Sequence, residues 1–404
     1  MLKKKIYLDY AATSPVTKEV LAAMKHYFSQ DYGNPSEPHL WGQKARFAID
    51  KSRQKIADFL GAKPQEIIFT SGATEAINLA HKGLIEAIRD TQNGKPHIIT
   101  SLIEHKAVLE TCQHLEKLNW AEVTYLPVDK DGLIKIEDLK KAIKPETVLI
   151  SVMYVNNEVG IIEPIREIGQ LIKKINQSRI TNHQSPIYFH TDVTQALQYL
   201  NCNVDYLGVD LLSLSGHKFY VPKGVGLLYF RKKTPLVRQQ DGGGQEYRLR
   251  AGTENVPYIV GLGKAIELVQ QNKVQSVKLI KGLREKLVKG ILKNQGVRLM
   301  GSSEKNAPHI ATFLVEGAEG EAMLLLFSEK GIAVSSGSAC TSGLLQPSHV
   351  LTAMGVPPEK SHGSLRFSLG KENTSKEIDY VIEIFPEIIN KLRKMAPNLD
   401  IFNR

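Results

Sequence analysis

The stretch EIIFTSGATEAINLAHKGLIEAI, Glu66 to Ile88, changes period halfway along. EIIFT (66–70) is a short β-branched and aromatic run of the kind that forms a buried strand. TEAINLAHKGLIEAI, which begins at Thr74, is an amphipathic helical segment. Between them lies a turn of small residues and hydroxyls, Ser71-Gly72-Ala73-Thr74. Strand, tight turn and helix make half of a βαβ unit, and the same alternation recurs along the chain. Further strand candidates are HIIT (97–100), EVTYL (122–126), TVLISVM (147–153), IYFHTD (187–192), DLLSLS (210–215) and GLLYF (226–230). Near-continuous apolar strands separated by helices such as EPIREIGQLIKKI predict a mainly parallel seven-stranded sheet covered on both faces.

That pattern stops near residue 256. Pro257 opens a long helical stretch, about 257–293, and beyond it come β runs (VRLM, HIATFLV, SLRFSL) with helices around 319–330 and 374–394. The reading is an α/β chain with a large domain over 15–256. A smaller α+β domain is built from 1–14 and 257–404. QSRITNHQSP (177–186) reads as a polar surface loop.

Composition narrows the class. Apolar content of 42% and charged content of 23% are those of an ordinary globular protein, and 404 residues suffice for two domains. MLKKKIYLDYAAT has a basic start without an apolar h-region, so a secretory signal is not expected, and no stretch is apolar enough to span a bilayer. Cys112, Cys202 and Cys340 are too widely spaced for a disulfide framework or a metal knuckle, which suggests a cytoplasmic chain with reduced thiols. The net charge of +10 lies in scattered clusters on helix faces, which read as solvated surface; a basic patch for an acidic protein or RNA is the alternative.

In an open parallel sheet, ligands bind beyond the carboxyl ends of the strands. After EIIFT the small-residue turn opens a helix, where free N–H groups suit a phosphate; an ordinary helix cap is the plainer reading. Other strand ends lead to Glu104-His105, Asn156-Asn157-Glu158, His190-Thr191-Asp192 with Gln195, and Ser215-Gly216-His217-Lys218. Together they hold a phosphate cradle, an aspartate, imidazoles, amides and a lysine. Pyridoxal phosphate needs such a set: lysine for a Schiff base, aspartate for the ring nitrogen, donors for the phosphate. Ser215-x-x-Lys218 also matches the SxxK of penicillin-binding enzymes, but their S-D-N and K-T-G partners are missing. GLGK (261–264) lacks the Walker spacing.

YLDYAATSP (7–15), NPSEPHLWG (34–42), FTSGATEAINLA (69–80), EHKAV (104–108), VNNEVG (155–160) and HTDVTQ (190–195) are followed by SLSGHKFYVPKGVG (213–226). GGGQEYRLRAGTENVP (242–257), SSGSACTS (335–342) and RFSLG (366–370) complete the series. In this order they resemble the cysteine desulfurases of the class V aminotransferase superfamily, in the group serving nitrogen fixation and iron–sulfur clusters. The resemblance implies the PLP-dependent transferase fold type I and pyridoxal 5'-phosphate as cofactor.

It further implies that Lys218 forms the Schiff base, Asp192 pairs with the ring nitrogen, Gln195 with the ring hydroxyl, and His105 stacks on the ring and moves protons. Ala73, Thr74, Ser215 and His217 would hold the phosphate, with Thr253 reaching in from the second subunit of a homodimer. Arg366, with Asn157 nearby, would clamp the carboxylate of L-cysteine, a task suited to the guanidinium fork. Cys340 would take the sulfur as a persulfide, leaving alanine. A free thiol with a pKa of ~8.5 is only partly ionised at neutral pH, so a base such as His105 must assist. The sulfur would pass to an acceptor such as an iron–sulfur scaffold or a tRNA-thiolation carrier, with transient cluster ligation by Cys340; neither membrane nor direct nucleic-acid binding is expected. In SSGSACTSG (335–343) no side chain exceeds threonine, which suits a tethered thiol that must travel. Val193 and Tyr258 replace the family's usual alanine and glycine, and the 177–186 loop is longer than usual. Other superfamily activities (aminotransferase, selenocysteine lyase) and a non-catalytic sulfur carrier are the alternatives.

Overall fold

The computed structural model describes residues 5–90, 94–182, 184–337 and 347–395. Its strands are β1 (Ile6–Tyr7), β2 (Ile67–Thr70), β3 (His97–Ser101), β4 (Glu122–Leu126), β5 (Thr147–Ser151), β6 (Tyr188–Asp192) and β7 (Leu211–Ser215). There follow β8 (Gly226–Phe230), β9 (Val297–Met300), β10 (Ile310–Val315), β11 (Ile332–Ala333) and β12 (Ser364–Ser368). The central sheet has seven strands in the order β2-β8-β7-β6-β5-β3-β4. All neighbours run parallel except β8, which is antiparallel to both β2 and β7.

Strand alternation builds two cores from single strands. Ile67, Ile99, Ile150 and Leu212 enter one apolar cluster, while their chain neighbours Ile68, Ile98, Leu149 and Leu211 enter the other. Both faces are therefore covered, and β3, β5 and β7 are buried along their whole length. β4 is only partly buried, as an edge strand must be.

The long helix spans Val256–Ile291, 36 residues or about 54 Å. Ile259, Leu262 and Ile266 join the central core, whereas Ile280, Leu283, Leu287 and Ile291 join a second core with Phe313, Phe327, Phe367 and Phe385. That second core lies against the antiparallel sheet β12-β10-β9. β1 pairs with β11, and Asp9 bridges Ser368, so the chain's start is fastened to its C-terminal part.

The 177–186 segment is not a surface loop throughout. The helix Ile165–Thr181 runs into it, and Arg179 is buried. Its guanidinium donates to the carbonyls of Ser185, Lys144, Pro145 and Thr147 at 2.7–3.2 Å. A polar residue that satisfies four carbonyls at the foot of β5 has left the surface.

Among the described residues no helix is long and apolar enough to cross a membrane.

Candidate active site

Since β8 alone is reversed, the C-terminal ends of β2, β3, β5, β6 and β7 share one edge with the start of β8. A cavity of about 950 Å³ opens there. Ala73, Thr74, His105, Asn157, Asp192, Gln195, Ser215, His217, Lys218 and Arg366 all line it. Thr253 is exposed and does not line the cavity of its own chain. Cys340 lies outside the described residues.

The turn after β2 leads into the helix Ala73–Ile88 through Gly72. A Cβ at Gly72 would meet only Ser215 Oγ, at 3.5 Å, so the turn presents bare backbone to the cavity. It is seated on β8: a Cβ at Gly226 would lie 2.4 Å from the Leu214 carbonyl oxygen and 2.6 Å from Gly72 Cα. Only glycine permits that approach.

Asp192 ends β6 and is buried, with Oδ1 accepting from Thr194 N at 2.8 Å. Burial pushes its carboxyl above the usual range, and the Thr194 hydrogen bonds, His105 and Lys218 pull it back. His105 caps the helix Lys106–Lys117, its Nδ1 accepting from Ala107 N at 3.1 Å. That bond leaves the proton of the neutral ring on Nε2. Burial lowers the pKa of His105, with Asp192 opposing and Lys218 assisting. His217 is held down to about 4, by burial first and then by Lys218 and Lys223.

Lys218 sits in the turn Gly216–Lys218, and its Nζ donates to the carbonyls of Ala11 and Ala12 at 2.9 and 2.6 Å. Gln195 donates to the same Ala11 carbonyl and accepts from His309 Nε2 at 3.1 Å. Arg366 arrives from β12, with Nη1 on the Asn157 carbonyl at 2.8 Å and Nη2 on Asp9 at 2.9 Å. Among the described residues its Nε is buried without a partner, so the fork retains donor capacity.

Several contacts of this site could not be read from the sequence. Asp9 is the ion-pair partner of Arg366, and Ala11 and Ala12 act through their carbonyls alone. Buried Glu158 accepts from Ser348 Oγ at 2.5 Å, and His349 Nε2 donates to the Glu104 carbonyl at 2.9 Å. The strand-end residue His190 is structural: its ring joins Ser151 and Ser213 across β5, β6 and β7 at 2.9 and 3.1 Å. Val193 is buried in the central core and does not line the cavity. Tyr258 packs edge-on to Phe28. Cys112 and Cys202 are buried thiols, and burial pushes Cys202 up to about 12.

Residues 6–381 match the aminotransferase class-V family. The chain belongs to that family, among its cysteine desulfurases. It is 50% identical over 394 residues to the cysteine desulfurase IscS of Methanosarcina thermophila, covering 98% of this chain and 94% of that protein. The cysteine desulfurase IscS of Dictyoglomus turgidum is 47% identical over 397 residues, covering 98% and 97%. A solved NifS-like protein superposes with a TM-score of 0.86 at 37% identity, over 97% of this chain and 99% of that one.

The family depends on pyridoxal 5'-phosphate, and the cavity fits it. The bare turn at a helix N-terminus suits a phosphate. Asp192 is a buried acid that a protonated ring nitrogen would satisfy.

Proposed function

We propose that this chain is a cysteine desulfurase that takes the sulfur of L-cysteine, releases L-alanine and passes the sulfur on as a persulfide. The observation that carries the reading is the convergence of Lys218, Asp192, His105 and Arg366 on one cavity with a bare turn at a helix N-terminus. Bound there, pyridoxal phosphate supplies the electron sink for a carbanion at the substrate's α-carbon.

Lys218 would be the covalent attachment point and would move protons at the substrate's α-carbon. Asp192 would keep a proton on the ring nitrogen, and Gln195 would hold the ring hydroxyl. Ala73, Thr74, Ser215 and His217 receive the phosphate, joined by Thr253 from the second chain of a homodimer. Leu40, Trp41 and Phe47 are exposed on the helix Leu40–Leu60, an apolar surface that a second copy would cover. Arg366, oriented by Asp9 and the Asn157 carbonyl, receives the substrate carboxylate.

Cys340 is the sulfur acceptor. Its thiolate forms an S–S bond with the substrate's sulfur as the C–S bond breaks, the bonding pair staying on the carbon that is protonated to become the methyl of alanine. His105 takes the thiol proton on Nδ1 as that atom leaves the Ala107 N–H, since Nε2 is already protonated. A protein acceptor then collects the persulfide: an iron–sulfur scaffold, with transient cluster ligation by Cys340, or a tRNA-thiolation carrier. Such a thiol works in a reducing compartment, which supports a cytoplasmic enzyme.

The purified protein should show the absorbance of a bound pyridoxal group, lose it on Lys218→Ala, and release alanine from cysteine. A protein that forms no alanine after addition of cofactor would refute the reading. Formation of alanine and persulfide at full rate by Cys340→Ala would refute the role of that cysteine.

A further inference from the structure

Glu75 lines the cavity one residue beyond the bare turn, where a carboxylate opposes any phosphate seated on that turn. Its two oxygens are both engaged. Oε2 accepts from Ser71 N at 2.8 Å, folding the carboxylate back over the helix start. Oε1 accepts from Arg250 Nε at 2.9 Å. Both side chains are about three-quarters shielded from water, with exposures of 24% and 23%, so their charges are only partly screened.

Arg250 comes from the glycine-rich stretch after β8, and the chain there is held in an unusual shape. Glu246, Tyr247 and Arg248 have φ of 44°, 56° and 66°, a left-handed run that side chains disfavour. The run persists because Glu246 is clamped: its carboxylate accepts from Arg53 Nη1 and Nη2 and from Phe69 N at 2.6–2.8 Å. Phe69 lies in β2, two residues before Ser71. The segment is thus fastened to the strand and to the turn that build the cradle, and Arg250 is delivered onto Glu75.

We propose that Arg250 is a positioning residue for the cofactor phosphate: by pairing with Glu75 it neutralises the carboxylate beside the cradle and holds it on Ser71 N. The inference rests on the reading of the Ser71–Thr74 turn as the phosphate site. Arg250 itself does not line the cavity, so it acts through Glu75.

The test is titration of the full-length apoprotein with pyridoxal phosphate, followed by absorbance, with inorganic phosphate as competitor. Arg250→Gln exposes an unpaired carboxylate to a phosphate dianion, and affinity for both probes should fall by about tenfold. Arg250→Lys should restore most of it. In the double variant Glu75→Gln with Arg250→Gln the repulsion is gone, and affinity should return to within about threefold of wild type because the two residues act as one unit. A purely structural role for Arg250 would not be rescued by removing Glu75. Wild-type affinity in Arg250→Gln, or a double variant as weak as Arg250→Gln, overturns the inference while leaving the phosphate site standing. A wild-type chain that takes up no pyridoxal phosphate overturns both.

Discussion

Replacing Glu246 by Gln tests whether a buried ion pair remote from the cavity holds the cradle in place. Arg53 and Glu246 side chains are each 3% exposed. Their contact is bidentate, at 2.8 and 2.6 Å, and Arg53 Nη1 also donates to the Ile67 carbonyl at 2.6 Å. The guanidinium lies over the Phe69 and Tyr247 rings, 4.6 and 5.2 Å from their centres. Gln is nearly isosteric and its oxygen can still accept from Phe69 N and Arg53 Nη1, but its amide N–H group meets Arg53 Nη2 donor to donor, so the change deletes the charge and one hydrogen bond. It leaves a guanidinium buried without its counter-ion, which costs about 3–5 kcal/mol. Against a total stability of about 5–15 kcal/mol, that is a large share. The left-handed run at 246–248 should then relax, since its own backbone cost is about 1–2 kcal/mol per residue. Urea unfolding of the apoprotein reads the first effect as a lower midpoint at unchanged slope. Titration with pyridoxal phosphate reads the second as weakened uptake. Removing both charges, with Arg53→Met and Glu246→Leu, should recover stability but not uptake. The reasoning fails if Glu246→Gln unfolds within about 1 kcal/mol of wild type, the range of ordinary substitutions.

At Gly226, substitution by Ala forces a Cβ to within 2.4 Å of the Leu214 carbonyl and 2.6 Å of Gly72 Cα. The expected outcome is a loss of about 1–3 kcal/mol with weaker cofactor uptake, read by thermal unfolding and absorbance titration. Gly282→Ala is the control: a Cβ there meets nothing within 4 Å, so helix propensity alone should make it neutral or up to about 1 kcal/mol stabilising. A further prediction concerns pH. Burial pushes Glu104 and Glu163 up to about 8 from an ordinary value of 4.5. Between those values the folded chain keeps protons that the unfolded chain has released, so their contribution is whole below pH 4.5 and is lost as pH rises through 8. Buried His81 and His309 behave oppositely: burial holds them near 4 and 3, so their contribution is whole above 6.5 and is lost as pH falls toward those values. On the alkaline limb these two acids act with the other carboxyls that burial pushes up, Asp192, Glu158 and Asp210, and Tm should fall from about pH 6.5 to 9 with a shallower fall in Glu163→Gln. An identical slope in that variant would show that Glu163 does not carry the effect.

The parts of the fold that could be read from the chain were those with a local period. Seven apolar runs, the small-residue turn after β2 and the long helix from Pro257 each announce themselves within a dozen residues, and the strand-end rule then gathers Lys218, Asp192 and His105 at one edge. The reversal of β8 had no such signal, because GLLYF reads alike in either direction and its neighbours are chosen by the rest of the sheet. Charged residues were the least legible. In KSRQK (51–55), Arg53 has the look of a solvated helix face, and in QSRIT (177–181) Arg179 has the look of a loop. Hydrophobic periodicity reports which face of an element is buried only when that face is apolar. A buried cation is decided by the group that meets it, and for Arg53 that group lies 193 residues away. The same holds inside the cavity: Asp9 and Arg366 are 357 residues apart, and neither alone marks a carboxylate site. What specifies this site beyond its reacting groups is a set of long-range charge pairs. Removing one partner of each, and then both, is therefore the experiment that separates pairs that orient the cofactor and substrate from pairs that only hold the chain together.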